Sequence, residues 1–410
     1  MKILIICRWI PFPSTTNALS YRVLGSIKYL SQKYKHDITL ATFKYKNNPE
    51  DYIREYCNKI VTVEEPITWK KWLTAFVTNY IKGVLKGEIN FTRGNYVYYR
   101  YSYRLQKEIS ELIKKNKFDL IYVDNPTMLF YASEAFLPKV LEIWTVSQTH
   151  YEAYKNEKKL HKRIYRWLLY FEAKIFENKY VNFDICIAPT ENDKDIISSY
   201  IKNIEISVIP FGVDSYLGLN EYKEDFPSLM FLGNMGSIYN QHSALYIYQK
   251  IYPLIKKVFP QIKLFIVGKD PSQEIIQLGI DKSVIVTGYV ENIRPYLARA
   301  SIITLPIHGY GIKTRILEAM SAGKPVITSS QGIYGINAKP GKNIIIADNE
   351  NDFTENVIKL LNNEQTRRSI GVEARKFIEE EYTWEIMADK LNDVLQRAVN
   401  ESQYKYISKP

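Results

Sequence analysis

Short apolar runs recur along the whole chain with helix-period segments between them, and this alternation limits the possible folds most strongly. The first half contains six such runs, at 2–7, 37–43, 120–123, 140–144, 185–188 and 206–209. The second half contains six more, at 228–232, 263–267, 284–287, 302–305, 326–328 and 344–346. Apolar strands that alternate with helices are typical of parallel sheets covered by helices on both faces. The sequence therefore predicts an α/β protein with two doubly wound parallel sheets rather than one barrel.

The chain has 410 residues, which is enough for two separate hydrophobic cores. A polar stretch that ends in proline follows the segment IPFGVD, and we predict the join between the domains at 211–227. The predicted domains are 1–210 and 211–385. The remaining residues, 386–410, are expected to form an amphipathic helix and a tail that returns toward the first domain.

The net charge of +11 is unevenly distributed. The first 212 residues contain 32 Lys and Arg against 22 Asp and Glu, so nearly all of the positive excess lies there. Such an excess favours contact with an anionic membrane surface or with a phosphorylated acceptor. A lysine-rich surface without a partner is the open alternative. No nucleic-acid-binding motif accompanies the charge, and we expect no nucleic acid as partner.

Cysteine usage and hydropathy indicate the cellular compartment. Cys7, Cys57 and Cys186 are isolated and odd in number, which favours neither disulfides nor a zinc site. No apolar run approaches the ~20 residues that span a bilayer. We predict a cytoplasmic protein, with attachment to the inner face of the membrane left open. The aromatic, basic stretch 69–104 suits either an interfacial membrane helix or a helix packed on the domain, and 151–178 predicts one long linking helix.

The segment 306–330, PIHGYGIKTRILEAMSAGKPVITSS, combines a glycine-rich turn, a short helix, a glycine stop at Gly323 and an apolar strand. Backbone N–H groups and the helix dipole make the start of a helix attractive to anions. Lys313 and Arg315 at this start suit a phosphate or pyrophosphate, and Glu318 could accept hydrogen bonds from ribose hydroxyls. The alternative is an ordinary capped amphipathic helix whose charges lie in water.

Five motifs of the second half occur in a characteristic order. They read FLGNMGSIYN (231–240), FIVGKD (265–270), VTGYVENIRPYLARASIITLPI (286–307), GYGIKTRILEAMSAGKPVITSSQGIYGI (309–336) and GKNIIIAD (341–348). This series resembles the donor domain of family 4 glycosyltransferases of the GT-B fold, from residue 228 to about 389. The first half is also similar, with RWIPFPSTTNALSYR after the first strand and IPFGVD in the linker.

The resemblance implies two Rossmann-like domains that face a cleft, with an acceptor on the first and a nucleotide-sugar donor on the second. It implies hexose transfer from a UDP- or GDP-sugar to a glycan or lipid-linked acceptor, with retention of configuration. It also implies a role in bacterial surface polysaccharide or glycolipid synthesis. Neither a cofactor nor a metal ion is expected. Two rivals stay open, namely a sugar-nucleotide epimerase of the same fold and a non-catalytic scaffold that binds nucleotide sugars.

Roles for individual residues follow from the same resemblance. Lys313 and Arg315 would hold the pyrophosphate and Glu318 the ribose, and these three are the predicted catalytic residues. The other predicted donor-binding residues are Gly233, Asn234, Asn240, Tyr289, Val290, Tyr310, Gly311 and Thr314. On the acceptor side the candidates are Arg22, which could meet a phosphate, and His150, for which an ordinary surface role is the alternative.

The sequence departs from the usual family pattern at two places. Tyr310 stands where relatives have a glutamate that contacts the donor sugar. Asn234 replaces an arginine of the first loop, and no lysine follows it before Lys250. A branch of the family has GxGIKxK before LEAM, and we interpret Lys313 and Arg315 as phosphate-binding charge moved from the first loop to the helix start. Loss of activity is the alternative interpretation.

Asp193 and Asp195 form a literal Asp-x-Asp, a pattern that binds metals in the other large glycosyltransferase fold. Both lie at an expected helix start, where acidic side chains stabilise the helix dipole in any case. The sequence therefore predicts a helix start here and no metal site.

Overall fold

The computed structural model describes residues 1–11, 18–44, 51–64, 102–132, 135–144, 147–157, 159–214, 223–306 and 312–407. The chain forms two compact units. One comprises Met1–Pro210 together with Met387–Pro410, and the other comprises Phe211–Ile386.

The first unit contains a seven-stranded parallel sheet. Its strands are β1 (Lys2–Trp9), β2 (Asp37–Lys44), β3 (Lys59–Glu64), β4 (Leu120–Val123), β5 (Lys139–Glu142), β6 (Ile185–Ala188) and β7 (Glu205–Val208). They are arranged in the order β3-β2-β1-β4-β5-β6-β7. The chain therefore builds outward from β1 in one direction and then reverses, so that β1 and β4 flank the point where the strand order switches.

Helices cover this sheet. They are α1 (Ala18–Gln32), α2 (Asp51–Arg54), α3 (Tyr103–Lys115), α4 (Ser147–Lys155), α5 (Leu160–Glu177) and α6 (Glu191–Tyr200), with short 3-10 turns at Pro126–Tyr131 and Tyr180–Asn182. The hydroxyl of Thr190 accepts the N–H of Asp193 (3.0 Å) and donates to its carboxylate (2.6 Å). This mutual cap at the start of α6 confirms the helix-start interpretation of the Asp-x-Asp pattern.

The second unit contains a six-stranded parallel sheet. Its strands are β8 (Ser228–Leu232), β9 (Lys263–Val267), β10 (Val284–Gly288), β11 (Ile302–Leu305), β12 (Val326–Thr328) and β13 (Ile345–Ile346), in the order β10-β9-β8-β11-β12-β13. The helices are α7 (Ile238–Tyr246), α8 (Tyr252–Val258), α9 (Gln273–Gln277), α10 (Arg294–Arg299), α11 (Thr314–Ser321), α12 (Glu350–Asn362) and α13 (Glu364–Glu381). The predicted pair of doubly wound parallel sheets is confirmed.

A last helix, α14 (Trp384–Ile407), begins in the second unit and belongs to the first from Met387 onward. It is joined to the end of α1 and the turn after it by polar contacts. The ammonium of Lys33 lies 2.7 Å from the carboxylate of Asp389, and a ring nitrogen of His36 lies 2.8 Å from the amide oxygen of Asn392. The helix is thus attached to the first sheet through side chains that stand far apart in the sequence.

Two sequence-based expectations about the first unit were wrong. Strand β3 was not predicted, because it is a half-exposed edge strand whose sequence KIVTVE lacks a continuous apolar run. The expected single helix at 151–178 is two helices, α4 and α5. Asn156 ends α4 by donating from its side-chain amide to the carbonyl oxygen of Glu152 at 3.0 Å. Most of the aromatic stretch 69–104 lies outside the described residues. No helix in the described part of the chain combines the length and hydropathy needed to cross a membrane.

Candidate functional site

The candidate site lies at the carboxyl ends of β8 and β11, which pair in parallel at the centre of the second sheet. The strand order reverses between these two strands. In open α/β sheets such a reversal leaves a crevice at the carboxyl ends of the strands, and ligands bind there. The loop that begins at Gly233 follows β8, and helix α11 is the next described element after β11 and Pro306. The sheet topology therefore brings the two motifs to one place.

Close backbone packing holds the loop after β8 in position. Gly268 has a φ of +152°, and a Cβ added there would lie 1.7 Å from the carbonyl oxygen of Gly233. The N–H of Gly233 donates to the carbonyl oxygen of Val267 at 3.0 Å, and the N–H of Met235 donates to the carbonyl oxygen of Lys269 at 2.8 Å. Only glycine at position 268 allows the loops after β8 and β9 to approach this closely.

Arg315 approaches the same loop from helix α11. Its Nη1 donates to the side-chain oxygen of Asn240 at 2.6 Å, and the amide nitrogen of Asn240 donates to the carbonyl of Asn234 at 2.8 Å. A Cβ on Gly233 would lie 2.8 Å from that Nη1, so the glycine leaves room for the guanidinium. The Nε of Arg315 is buried and has no hydrogen-bond partner among the described residues. The structure thus fixes a cation beside Asn240 of α7, which is itself bonded to the loop after β8.

The two cations of this site repel each other in a partly desolvated environment. Lys313 is half-buried and forms the N-cap of α11 without a side-chain capping bond. Burial, followed by the charge of Arg315, lowers the pKa of Lys313 to about 8. Burial lowers the pKa of Arg315 to about 10, an effect that the charge of Glu318 opposes. An anion bound between the two side chains would favour the charged form of both.

Glu318 lies one helical turn beyond this pair. Burial first, and then the charge of Asp214, raises its pKa to about 7, while Arg315 acts in the opposite direction. At neutral pH the carboxyl group is therefore close to the midpoint of its titration, and it can donate or accept a hydrogen bond. The alternative in which the charges of this helix lie in water does not describe these side chains, which are half-buried.

Helix α11 has the shape that its sequence predicted. Ile316, Leu317 and Met320 are fully buried in the core of the second unit. Gly323 follows the helix with a φ of +67°, and its N–H donates to the carbonyl of Met320 at 2.9 Å, which confirms the predicted glycine stop. A Cβ on Gly371 of α13 would lie 2.2 Å from the carbonyl oxygen of Gly323, so the two helices are in close backbone contact. Packing therefore fixes the end of the helix opposite the cations.

The remaining predicted donor-binding residues are only partly described. Tyr289 is 65% exposed after β10, and Val290 packs partly on the core of the unit. Thr314 is the first residue of α11. Tyr310 and Gly311 lie outside the described residues. The donor-binding roles of all these residues, including Lys313 and Glu318, stay predictions.

The contacts of Arg22 require a reinterpretation. Its guanidinium is buried, forms an ion pair with Glu142, and donates to the carbonyl oxygens of Ile209 and Pro210 at 2.9 Å each. The guanidinium is thus bonded to protein groups inside the first unit, which argues against the predicted contact with a phosphate. The sequence could not indicate this, because the partners lie more than one hundred residues away.

His150, the second acceptor-side candidate, is half-buried near the start of α4. Burial, and then the charge of Arg166, lowers its pKa, while Glu177 acts in the opposite direction. Its surroundings therefore favour the neutral form of the imidazole, and its acceptor-side role stays a prediction.

Asp124 is a buried acidic residue that the sequence analysis did not select as a candidate. It directly follows β4, at the point where the first sheet reverses its strand order, and it is 1% exposed. Its Oδ1 has no hydrogen-bond partner among the described residues. Burial, and then the charge of Glu142, holds its pKa well above the ordinary value. The available signal was an acidic residue immediately after a buried parallel strand. In the described part of the chain, no three His, Cys, Asp or Glu side chains lie close enough together to hold a metal ion.

Comparisons with known proteins identify the class. The model of Glycosyltransferase Family 4 matches residues 26–216, and the model of Glycosyl transferases group 1 matches residues 226–363. Together the two matches include every strand of both sheets except β1, and they extend through α12. The chain belongs to the group 1, family 4 glycosyltransferases and has their GT-B fold.

Individual relatives are distant. The chain is 24% identical to an uncharacterized 44.6 kDa protein in the cps region of Klebsiella pneumoniae, over 68% of this chain and 74% of that protein. It is 26% identical to the UDP-Gal:alpha-D-GlcNAc-diphosphoundecaprenol alpha-1,3-galactosyltransferase of Escherichia coli, over 54% of this chain and 60% of that enzyme. The structure of HepE from Anabaena, in complex with UDP and glucose, has a TM-score of 0.63 at 13% identity, with 97% of this chain and 99% of that chain covered. At this identity the structural match shows the fold alone.

Proposed function

We propose that this protein transfers a hexose from a nucleotide-sugar donor to a glycan or lipid-linked acceptor, with the donor bound at the start of α11. The observation that carries the proposal is the placement of Lys313 and Arg315. Both cations are partly desolvated at the switch point of the second sheet, and Arg315 is hydrogen-bonded to Asn240 of α7, which is itself bonded to the loop after β8. A pyrophosphate supplies the two negative charges that would relieve their mutual repulsion.

The same placement suits the chemistry of the transfer. When the bond between the sugar and the diphosphate breaks, negative charge develops on the departing phosphate. Fixed cations and the N–H groups at the start of a helix stabilise that charge without reorganising. Arg315 is held by Asn240, so its charge is already positioned before the reaction begins. Glu318, with a pKa of about 7, would hydrogen-bond the ribose of the donor.

We further propose that the reaction retains configuration and needs no metal ion. Lys313 and Arg315 supply the positive charge that a divalent cation supplies in other transferases. The departing phosphate can accept the proton of the acceptor hydroxyl, so no strong protein base is required.

The acceptor and the location are proposed from the relatives. The E. coli relative uses UDP-Gal and a diphosphoundecaprenol-linked acceptor, and the K. pneumoniae relative lies in a cps region. We propose a UDP-sugar as donor ahead of a GDP-sugar, a role in surface polysaccharide or glycolipid synthesis, and action in the cytoplasm at the inner face of the membrane.

The test is a binding and turnover experiment with the full-length protein. Calorimetric titration against UDP- and GDP-sugars should reveal one nucleotide that binds, and Arg315→Ala should weaken its binding by at least about tenfold, as expected for a lost charge-assisted hydrogen bond. Lys263→Ala, which removes an exposed cation of the same unit, is the matched control. Absence of binding for every nucleotide sugar would refute the proposal.

Product analysis then separates the rival functions. A transferase requires an added acceptor and releases the nucleoside diphosphate together with a glycosylated product. An epimerase would convert the donor alone, and a scaffold would bind the donor without turnover. Conversion of the donor in the absence of any acceptor would therefore contradict transfer as the main activity.

A further inference from the structure

Helix α5 carries a stripe of large apolar side chains on its exposed side. Leu160, Ile164, Trp167, Leu168 and Phe171 are each at least 41% exposed. Their spacing of three and four residues places them on one side of the helix, along about three turns. The rings of Trp167 and Phe171 contact each other edge to face, with centroids 4.5 Å apart. The stripe is therefore a continuous apolar surface, not a set of scattered side chains.

The other side of α5 already attaches the helix to the first unit. The ring of Tyr170 lies 5.3 Å from that of Tyr151 on α4, and the ring of Phe176 lies 5.8 Å from that of Phe130. Glu177 is buried and accepts the N–H of Ser147 at 2.6 Å. The exposed stripe is thus not needed to hold the helix in place. A contiguous exposed apolar surface of this kind marks a site of interaction.

The start of α5 carries positive charge that the helix itself does not neutralise. Lys159, Lys162 and Arg163 are exposed there, and the first turn contains no acidic residue. Lys159 is the N-cap and makes no side-chain capping bond, although its N–H donates to the carboxylate of Glu157 at 3.1 Å. Because the helix dipole is also positive at this end, the basic side chains add to it. Lipid phosphates would add to the negative charge of Glu157 at this basic end of the helix.

We propose that α5 docks on an anionic lipid bilayer, with the apolar stripe among the outer acyl segments and the basic helix start at the lipid phosphates. Large aromatic and aliphatic residues on one side, with basic residues beside them, are the composition of helices that lie in a membrane interface. A second copy of the chain would bring the same positive charge to the contact, so charge complementarity favours the lipid surface. The inference rests on the proposed function for its purpose, since a lipid-linked acceptor is presented at such a surface.

Vesicle binding of the full-length protein tests this proposal. The protein should sediment with vesicles that contain phosphatidylglycerol and bind more weakly to vesicles of pure phosphatidylcholine. High salt should remove this difference in binding, because it screens the charges. The double variant Trp167→Glu, Phe171→Glu should lower the partition coefficient at least about tenfold, because it removes apolar area and adds negative charge. Ile280→Glu is the matched control, since Ile280 is 82% exposed in the second unit.

A second variant tests the charges separately. Lys162→Gln with Arg163→Gln should lower partitioning to the anionic vesicles by roughly 25-fold, about fivefold for each charge, and leave binding to neutral vesicles unchanged. All these side chains are exposed, and unfolding temperatures should confirm that the variants are folded. Equal binding of the wild type and the double glutamate variant would overturn the proposal. So would failure of the wild type to bind anionic vesicles.

Two further measurements distinguish the other possible outcomes. If the wild type self-associates but does not bind vesicles, and the double glutamate variant no longer self-associates, the stripe binds a second copy of the chain. That result would overturn the proposal. Titration with UDP in the absence of vesicles reports on the proposed function alone, and the helix variants should bind UDP as the wild type does. Vesicle binding without nucleotide or nucleotide-sugar binding would support the membrane proposal and contradict the proposed function.

Discussion

Replacing Lys313 with methionine should weaken binding of the donor nucleotide. It should also abolish most of the dependence of the binding affinity on pH above neutrality. In the free protein, burial and then the charge of Arg315 lower the pKa of this ammonium to about 8, from an ordinary 10.5. A bound pyrophosphate favours the charged form and moves the pKa back upward. Wild-type protein should therefore take up a proton when it binds UDP in mildly alkaline solution, and Lys313→Met should not.

The size of the effect follows from the pKa. A group with a pKa of about 8 is about 90% charged near pH 7 and about 10% charged near pH 9, so affinity should fall about tenfold over this interval. Near pH 8, each binding event should take up about half a proton. Loss of a charge-assisted hydrogen bond costs about 1.5–3 kcal/mol, which is roughly 10- to 150-fold in affinity near pH 7. Near pH 9 the two proteins should differ much less.

Calorimetric titration with UDP measures both quantities. Near pH 8, titrations in two buffers of different ionisation enthalpy give the number of protons taken up, and a series from about pH 7 to 9 gives the change in affinity. Lys250→Ala removes an exposed lysine of the same unit and should behave as the wild type. Glu318→Gln separates the titration near pH 7 from that of Lys313. Unchanged proton uptake in Lys313→Met would refute the assignment of Lys313 to the phosphate.

Three other substitutions test the surrounding structure. Gly268→Ala should destabilise the second unit by several kcal/mol, because its Cβ would lie 1.7 Å from the Gly233 carbonyl oxygen. Gly279→Ala is the control, since its Cβ would meet no atom within 4 Å. Equal unfolding temperatures of the two variants would contradict the close contact at Gly268. Glu318 has a pKa of about 7 against an ordinary 4.5, so the stability contributed by its neutral form is complete below about pH 4.5 and is lost as pH rises through about 7. Denaturant titrations should show that Glu318→Gln removes this decline, which amounts to at most ~3.4 kcal/mol. A wild type and a Glu318→Gln variant whose stabilities change with pH in parallel would disprove it. Arg22→Ala should lower the free energy of unfolding by about 3–5 kcal/mol in the same assay, because it removes the cation paired with the buried carboxylate of Glu142. It should not change UDP affinity. Weaker UDP binding at unchanged stability would instead support the phosphate contact that the sequence predicts for Arg22.

The strands of the second sheet show how much local pattern can establish. The predicted bounds of β8, β9, β11 and β12 agree with the structure, because strands buried on both faces must be continuously apolar. The edge strand β3 has one exposed side and no such run, and it was missed for that reason. The break between α4 and α5 was also missed, since it depends on one asparagine that caps the preceding turn.

The candidate site divides in the same way. The cations at the start of α11, its apolar face and the glycine after it are properties of adjacent residues, and the sequence alone was enough to find them. The contact between Arg315 and Asn240 joins residues 75 positions apart, and it exists because the strand order places β8 beside β11. The ion pair of Arg22 with Glu142 likewise depends on which strands are neighbours.

Local order in the chain was thus sufficient for the strands, the parallel sheets and the identity of the charged helix start. Long-range packing settled which charges are buried, which partners they have and where their pKa values lie. It also turned the apolar stripe of α5 outward, where a sequence pattern of the same period would equally suit a core helix. The physical reason is that periodicity and capping act over a few residues. Desolvation and ion pairing depend instead on neighbours that only the folded sheet order brings together.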